Sequence, residues 1–204
     1  MTNADDLGAV QKARKIAIGI LALCGAGLML LFSPMWGHAV HRHIEAVGLL
    51  LLAICIVGRS VSSLYISGYK NAHLVDSGPY SICRNPLYTF SIIGAAGIGA
   101  LSGSVIVSLI TAVVTWLVFR IVVTREERFL VSQHGQKYEA YLSRVPRFLP
   151  DLSLWTTDEK LAINTIGLVR TFGDASVFLL AIPLFEVLEM LRESGSIPII
   201  CRLP

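Results

Sequence analysis

The sequence predicts an all-α, polytopic transmembrane helical bundle of about five spans. Three observations carry this. Hydrophobic residues make up 54% of the 204 positions and charged ones only 15%, where soluble domains carry about 25%. The mean hydropathy is +0.66. The apolar residues gather in long runs, which is how a bilayer marks a chain, and the charges crowd into the short stretches between them. The length suits one compact helical domain over residues 1–204, with no room for a second soluble one.

The net charge of +3 is modest, and the basic residues sit in loops beside apolar runs. They report membrane topology rather than a nucleic-acid surface. The four cysteines make no CxxC and no His/Cys ligand spacing, and Cys24 and Cys55 lie inside apolar runs. This composition predicts neither a disulfide framework nor a zinc site. The first apolar run is too long for a cleaved leader and lacks a small-residue cleavage site.

Residues 1–13 are polar, and residues 14–33 form the first apolar run, long enough for a span of about 20 residues. Pro34 and Gly37 mark a loop, and Trp36 suits a membrane interface. His38, His41 and His43 fall on this short outer loop without a carboxylate pattern, so no metal is expected there. Residues 44–66 form the second helix, interrupted late by Gly58 and Arg59. Residues 67–85 are polar and turn-rich.

Residues 86–123 are too long for one span and too short for two with a generous loop. Leu101-Ser102-Gly103-Ser104 supplies a tight turn, so the run reads as a helical hairpin. Gly94, Gly97 and Gly99, with Ala95, Ala96 and Ala100, give its first arm a small surface, which lets helices approach closely in lipid. Residues 124–160 are charged. Leu130, His134, Tyr138 and Tyr141 recur there at helical spacing with Glu127 on the same side. Gly135 breaks this helix, and Pro146 and Pro150 end it. Residues 161–191 form a last apolar run with Arg170 and Asp174 near its start and Pro183 inside.

With the N-terminus inside, Lys12, Arg14, Lys15, Lys70, Arg84 and the six cations from Arg125 to Lys160 all fall on the cytoplasmic side. Arg42, Arg202 and, at the boundary, Arg192 fall outside. The positive-inside bias therefore predicts the N-terminus in and the C-terminus out. Both polar segments, 67–85 and 124–160, then share the cytoplasmic face.

These segments hold the residues with chemical potential. The first runs through Gly78-Pro79-Tyr80 and Arg84-Asn85-Pro86-Leu87-Tyr88 into a membrane helix. Pro86 suits a first helical turn, and the free N–H groups of a helix start can receive a carboxylate. The second carries Glu126 and Glu127, then Gly135, Tyr138, Tyr141 and Val145-Pro146-Arg147-Phe148-Leu149-Pro150. On composition alone the two carboxylates either attract a cationic ligand or merely solvate the helix end and pair with Arg125 and Arg128.

Taken in order, with the hairpin between them, these motifs over roughly residues 45–150 resemble the isoprenylcysteine carboxyl methyltransferase family. That family belongs with the membrane methyltransferases that include phospholipid N-methyltransferases. The resemblance implies S-adenosylmethionine as methyl donor, held in a cytosolic pocket between the loop ahead of the hairpin and the Glu-bearing helix after it. Carried over by motif, the cofactor-binding residues are His73, Leu74, Val75, Tyr80, Asn85, Pro86, Tyr88 and Glu126 or Glu127, the choice between the last two being left open. Asn85 stands where the family more often has His. An amide cannot carry a proton charge, which puts an acid or base role at that position in doubt. Phe90 stands where a small Gly is common and reshapes the pocket.

A sulfonium donor needs no protein nucleophile, only in-line placement and exclusion of water. Carboxylates and aromatic faces favour a cation, which suits Glu126, Glu127, Tyr80 and Tyr88. An acceptor carboxylate needs a cation to place it. Arg120, at the end of a membrane helix, is the expected catalytic residue, with snorkelling to the headgroups as the alternative. Arg59 has the same two readings, and Arg147 anchors the final loop.

The expected function is methyl transfer to a lipophilic small molecule or lipidated substrate, such as an isoprenylcysteine-like carboxylate, within membrane lipids and without nucleic acid. Two alternatives are an NADPH-dependent membrane reductase, which shares a Tyr-x-x-x-Arg-x-Pro-x-Tyr pattern, and a non-catalytic membrane scaffold of the same fold. Residues 161–204 lie outside the recognised core.

Overall fold

A computed structural model describes residues 32–34, 37–66, 74–159, 165–194 and 201–203. The expected first span, residues 14–33, lies almost wholly outside the described residues, as does His73. The described architecture is helical apart from one short pairing. The order is β1 (Phe32–Pro34), α1 (His38–Ile66), α2 (Pro79–Ile82), α3 (Pro86–Ala100), α4 (Val105–His134) and α5 (Gln136–Arg144). A 3-10 turn follows at Leu152–Leu154, then α6 (Thr165–Ser176), a 3-10 turn at Val177–Leu180, α7 (Ala181–Glu193) and β2 (Cys201–Leu203). β1 and β2 pair in parallel over three residues, with Phe32 opposite Cys201.

Three helical stretches are long and apolar enough to cross a membrane: Ala39–Ile66, Val105–His134 and Thr165–Leu188. Their surfaces fit that reading. Leu109, Val113, Leu117 and Ile121 lie four residues apart on α4 and are all exposed, one stripe of a helix turned toward lipid. The chain is an integral membrane protein. α3 is apolar but has only 15 residues, about 22 Å of helix against a hydrocarbon core of about 30 Å.

α1 begins earlier than the sequence predicts. His38, His41 and His43 occupy its first turns rather than a loop, and the His43 ring donates to the Ala39 carbonyl at 2.6 Å. α4 runs on past the apolar stretch to His134, so Glu126 and Glu127 sit on the hairpin's own second arm. It stops where expected. Gly135 adopts φ 54°, a left-handed conformation that side chains resist, and α5 starts at the next residue.

The chain divides into two compact units. One comprises Met1–Ala53, Ile92–Val122 and Phe178–Pro204, the other Ile54–Ser91 and Val123–Val177. In the first, α1 and α3 meet through Gly48 and Gly97. A Cβ on Gly48 would lie 2.9 Å from the Gly97 carbonyl oxygen, and one on Gly97 would lie 2.9 Å from that of Gly48. Small residues thus permit a backbone-to-backbone approach. The hairpin closes as expected at Leu101–Ser104, and Thr111 and Ser108 donate to the carbonyls of Ala95 and Ala96 at 2.9 and 2.8 Å. In the second unit, Tyr138, Tyr141 and Val145 form a buried cluster against Leu74, Leu130, Val131 and Leu142. Gly58 receives the ring of Phe90, whose Cδ1 lies 2.3 Å from where a Cβ would stand. Ser63 donates to Thr171 on α6 at 2.8 Å.

Candidate active site

The site is built within the second unit, on a segment bolted down at many points. Gly78 turns the chain with φ 58° and packs on the Tyr65 ring, 2.2 Å from where a Cβ would be. Pro79 then starts α2. The chain after α5 returns along this segment. Arg84 N–H donates to the Pro146 carbonyl at 2.9 Å, Asp151 N–H to Ile82 at 2.9 Å, and Gly78 N–H to Thr156 at 2.6 Å. Thr156 N–H donates to the Ser81 hydroxyl at 3.0 Å, and the Tyr141 hydroxyl donates to the Tyr80 carbonyl at 2.7 Å. An Arg144–Asp76 ion pair at 2.9 Å adds a contact that is half-exposed and therefore weak.

The two adjacent glutamates are separated by the helix. Successive residues on an α-helix point about 100° apart, and here the difference divides their partners. Glu127 is 5% exposed. Arg147 bonds one of its carboxylate oxygens. The Asn85 amide donates to the other at 3.4 Å, and Arg84 Nε lies 3.5 Å from it, a charge contact rather than an aligned hydrogen bond. Asn85 also donates to the Arg147 carbonyl at 3.2 Å, and Arg147 to Thr124 at 3.3 Å. Glu126 instead accepts from the Tyr88 hydroxyl at 2.7 Å.

Tyr80 is buried, and its hydroxyl has no hydrogen-bond partner. Burial pushes this phenol above its ordinary value. Cys83 adds to the rise, Arg59 opposes it, and Glu126 adds to it again. Burial likewise raises Tyr138, with Glu127 adding, and Tyr141, with Tyr138 adding. It also raises the Cys83 thiol, against an opposing hydrogen bond from Thr89.

Of the expected site residues, the structure brings Tyr80, Asn85, Pro86, Tyr88, Glu126 and Glu127 into this one unit. Leu74 joins the tyrosine cluster and Val75 is half-buried. Arg120 belongs to the other unit. It is exposed, with its guanidinium 5.6 Å from the Trp116 ring centroid. An open recess of about 630 Å³ runs beside Arg84 and the chain from Leu142 to Leu152 and touches none of the expected cofactor residues. The sequence reading gave Arg84 and Arg147 no role as partners of Glu127. The signal was present, since a buried carboxylate requires a cation, but a linear reading offered Arg125 and Arg128 first. Both of these are exposed. Among the described residues no three His, Cys, Asp or Glu side chains gather as metal ligands.

Residues 41–137 match the phospholipid methyltransferase family. The cobalt-zinc-cadmium resistance protein CzcN of Cupriavidus metallidurans is 33% identical over 81% of this chain and 79% of its own length. The nickel-cobalt-cadmium resistance protein NccN of Alcaligenes xylosoxydans xylosoxydans is 34% identical over 78% of this chain and 74% of its own. The protein-S-isoprenylcysteine O-methyltransferase of Schizosaccharomyces pombe is 35% identical over 48% of this chain and 42% of its own, so this chain spans less than half of that relative. No solved structure matches. The motif order, the helical membrane architecture and these matches agree: the chain belongs to one family with CzcN and NccN, and its core over residues 41–137 is similar to the phospholipid and isoprenylcysteine methyltransferases.

Proposed function

We propose that this protein transfers a methyl group from S-adenosylmethionine to a lipophilic acceptor, with a carboxylate such as that of an isoprenylcysteine-like molecule as the best-fitting class. One observation carries the reading: the Tyr88 hydroxyl donates to the Glu126 carboxylate, and in the same unit the buried Tyr80 hydroxyl lacks a partner. A buried donor without a partner costs free energy, and a polar ligand would satisfy it. The site's residue types fit the cofactor. A carboxylate and aromatic faces receive a cation, and Glu127, bound to Arg147 and Arg84, braces the wall.

When bound, S-adenosylmethionine supplies a methyl group on a sulfonium that is already electrophilic. The protein's part is placement. Glu126 and Tyr88 would hold the positive end of the donor, Tyr80 would offer a hydrogen bond, and Leu74 and Val75 would line the pocket. Asn85 positions Glu127 and moves no proton. The site faces the cytoplasm, as the distribution of cations supports.

A scaffold without activity is the second reading. It is favoured by the Phe90 ring packed on Gly58 and by the absence of the expected cofactor residues from the open recess. Calorimetric titration of S-adenosylhomocysteine into the full chain in nanodiscs separates the two. Saturable binding that Glu126→Gln weakens supports the methyltransferase. A folded protein that binds nothing supports the scaffold.

A further inference from the structure

The segment from Phe148 to Thr157 is tied at both ends to the ends of apolar helices. The Thr89 hydroxyl, in the first turn of α3, donates to the Phe148 carbonyl at 3.0 Å. Thr157 shares a 3.2 Å hydrogen bond with the Tyr65 hydroxyl, in the last turn of α1, whose apolar span ends at Ile66. Between these points the Asp151 N–H is fixed to the Ile82 carbonyl at 2.9 Å. The Asp151 carboxylate accepts from the Ser153 N–H at 3.0 Å and so caps the 3-10 turn at Leu152–Leu154. The backbone here is pinned, and the direction of its side chains is built in.

What this segment turns outward is apolar. Leu149 is 83% exposed, Leu152 74% and Trp155 49%, and the two leucines line the open recess beside Arg84. Such a patch is unfavourable in water and marks a surface that something covers. Its depth says what. Val57 and Val61, one turn apart within the α1 span, are exposed and face lipid. Tyr65 follows Val61 by four residues, about 6 Å of helix. The headgroup layer adds about 5–8 Å to each face of the hydrocarbon core. A segment bonded to Tyr65 therefore lies within that layer, where tryptophan is favoured. Charge contributes no net attraction, because residues 124–160 carry six cations and six anions.

We propose that Leu149, Leu152 and Trp155 form an interfacial anchor, docked on the headgroup–acyl boundary of the bilayer in which the chain sits. The partner is the lipid surface itself, held by apolar insertion and not by charge. The anchor does not depend on the methyl-transfer reading. It gives residues 146–156, which close against residues 78–84, a second support on the lipid side.

The test is tryptophan fluorescence on the full chain in phospholipid vesicles. The chain has three tryptophans, so Trp36→Phe with Trp116→Phe leaves Trp155 as the reporter. The lipids carry bromine on the acyl chain, either near the headgroup or near the bilayer centre, and acrylamide probes access from water. The expected emission is blue-shifted, quenched by shallow bromines more than by deep ones, and quenched little by acrylamide. It is the same in zwitterionic and anionic vesicles and at high salt. Adding Leu149→Asp with Leu152→Asp lifts the segment: emission shifts to the red, shallow quenching falls and acrylamide quenching rises, with the melting temperature near the parent's. Leu149→Ser with Leu152→Ser moves the same readouts by less and replaces the aspartates if those prevent folding. Emission that only acrylamide quenches places the segment in water and overturns the anchor. Emission that no quencher reaches shows the patch covered by another part of the chain or by a second copy, and overturns it as well, as does quenching dominated by deep bromines. Serine variants with unchanged quenching remove the leucines from the anchor and overturn the assignment as stated.

Discussion

The hydroxyl of Tyr141 donates a 2.7 Å hydrogen bond to the main-chain carbonyl of Tyr80, 61 positions away in the chain. Tyr141→Phe keeps the ring in its cluster but leaves that buried carbonyl without the bond, a loss of about 1–3 kcal/mol. The expected outcome is a lower melting temperature together with weaker S-adenosylhomocysteine binding, because the same bond sets the height of the Tyr80 ring. A variant that melts lower but binds equally well would show that the contact serves folding alone.

Glu126 and Glu127 separate function from stability. Glu127→Gln leaves Arg147 and Arg84 facing a neutral amide in a buried setting, and breaking such a network by removing one partner costs about 3–5 kcal/mol. It should express poorly or melt early. Glu126→Gln should melt close to the parent and bind S-adenosylhomocysteine at least about tenfold more weakly, as expected when a charge-assisted bond is lost. Thermal shift and calorimetry on the two variants decide this, and the reverse pattern would exchange their roles.

Alkaline pH should unfold the second unit. Tyr80, Tyr138 and Tyr141 have phenols raised above the ordinary value by burial. Below about pH 10 both folded and unfolded chains keep these protons, and their contribution is fully present. Above it the unfolded chain releases protons that the folded one retains, so stability falls as pH rises toward the folded values. Tyrosinate absorbance followed alongside circular dichroism should show these rings ionising with unfolding rather than before it.

Gly48→Leu should disrupt the first unit and leave the chemistry of the second untouched. The new Cβ would stand 2.9 Å from the Gly97 carbonyl oxygen and 3.1 Å from Ala100 Cβ. Overpacking of this kind costs about 1–3 kcal/mol, and an open face would cost nothing. Melting in detergent distinguishes the two.

Much of this was legible in the sequence because membrane helices are defined by composition. The hairpin turn at Leu101–Ser104, the break at Gly135 and the first turn at Pro86 are local chemistry, and the structure keeps all three. The small-residue contact was foreseen for α3, but its partner Gly48 was not, because nothing in a linear reading marks which glycine meets which. The site was legible as a set of motifs and illegible as a wiring diagram. That Glu127 joins Arg147, 20 positions on, rather than Arg128 beside it follows from the chain's return along α2, and no periodicity encodes that return. α1 starts earlier than expected because the histidines of its first turns carry no helix-breaking chemistry. Pro34 and Gly37, the true punctuation, lie before them.

The bonds that tie residues 146–156 to residues 78–84 also impose an order on biosynthesis. Residues 78–88 leave the ribosome first, but the Gly78 and Arg84 N–H groups and the Ile82 carbonyl find their main-chain partners at Thr156, Pro146 and Asp151. Until α4 has been inserted and residues 146–156 have been made, these three main-chain bonds cannot close. A nascent chain stalled before Pro146 would therefore hold every residue expected to meet the methyl donor and still lack the site, and a pulse of ligand during translation should protect the chain from protease only after Thr156 has emerged.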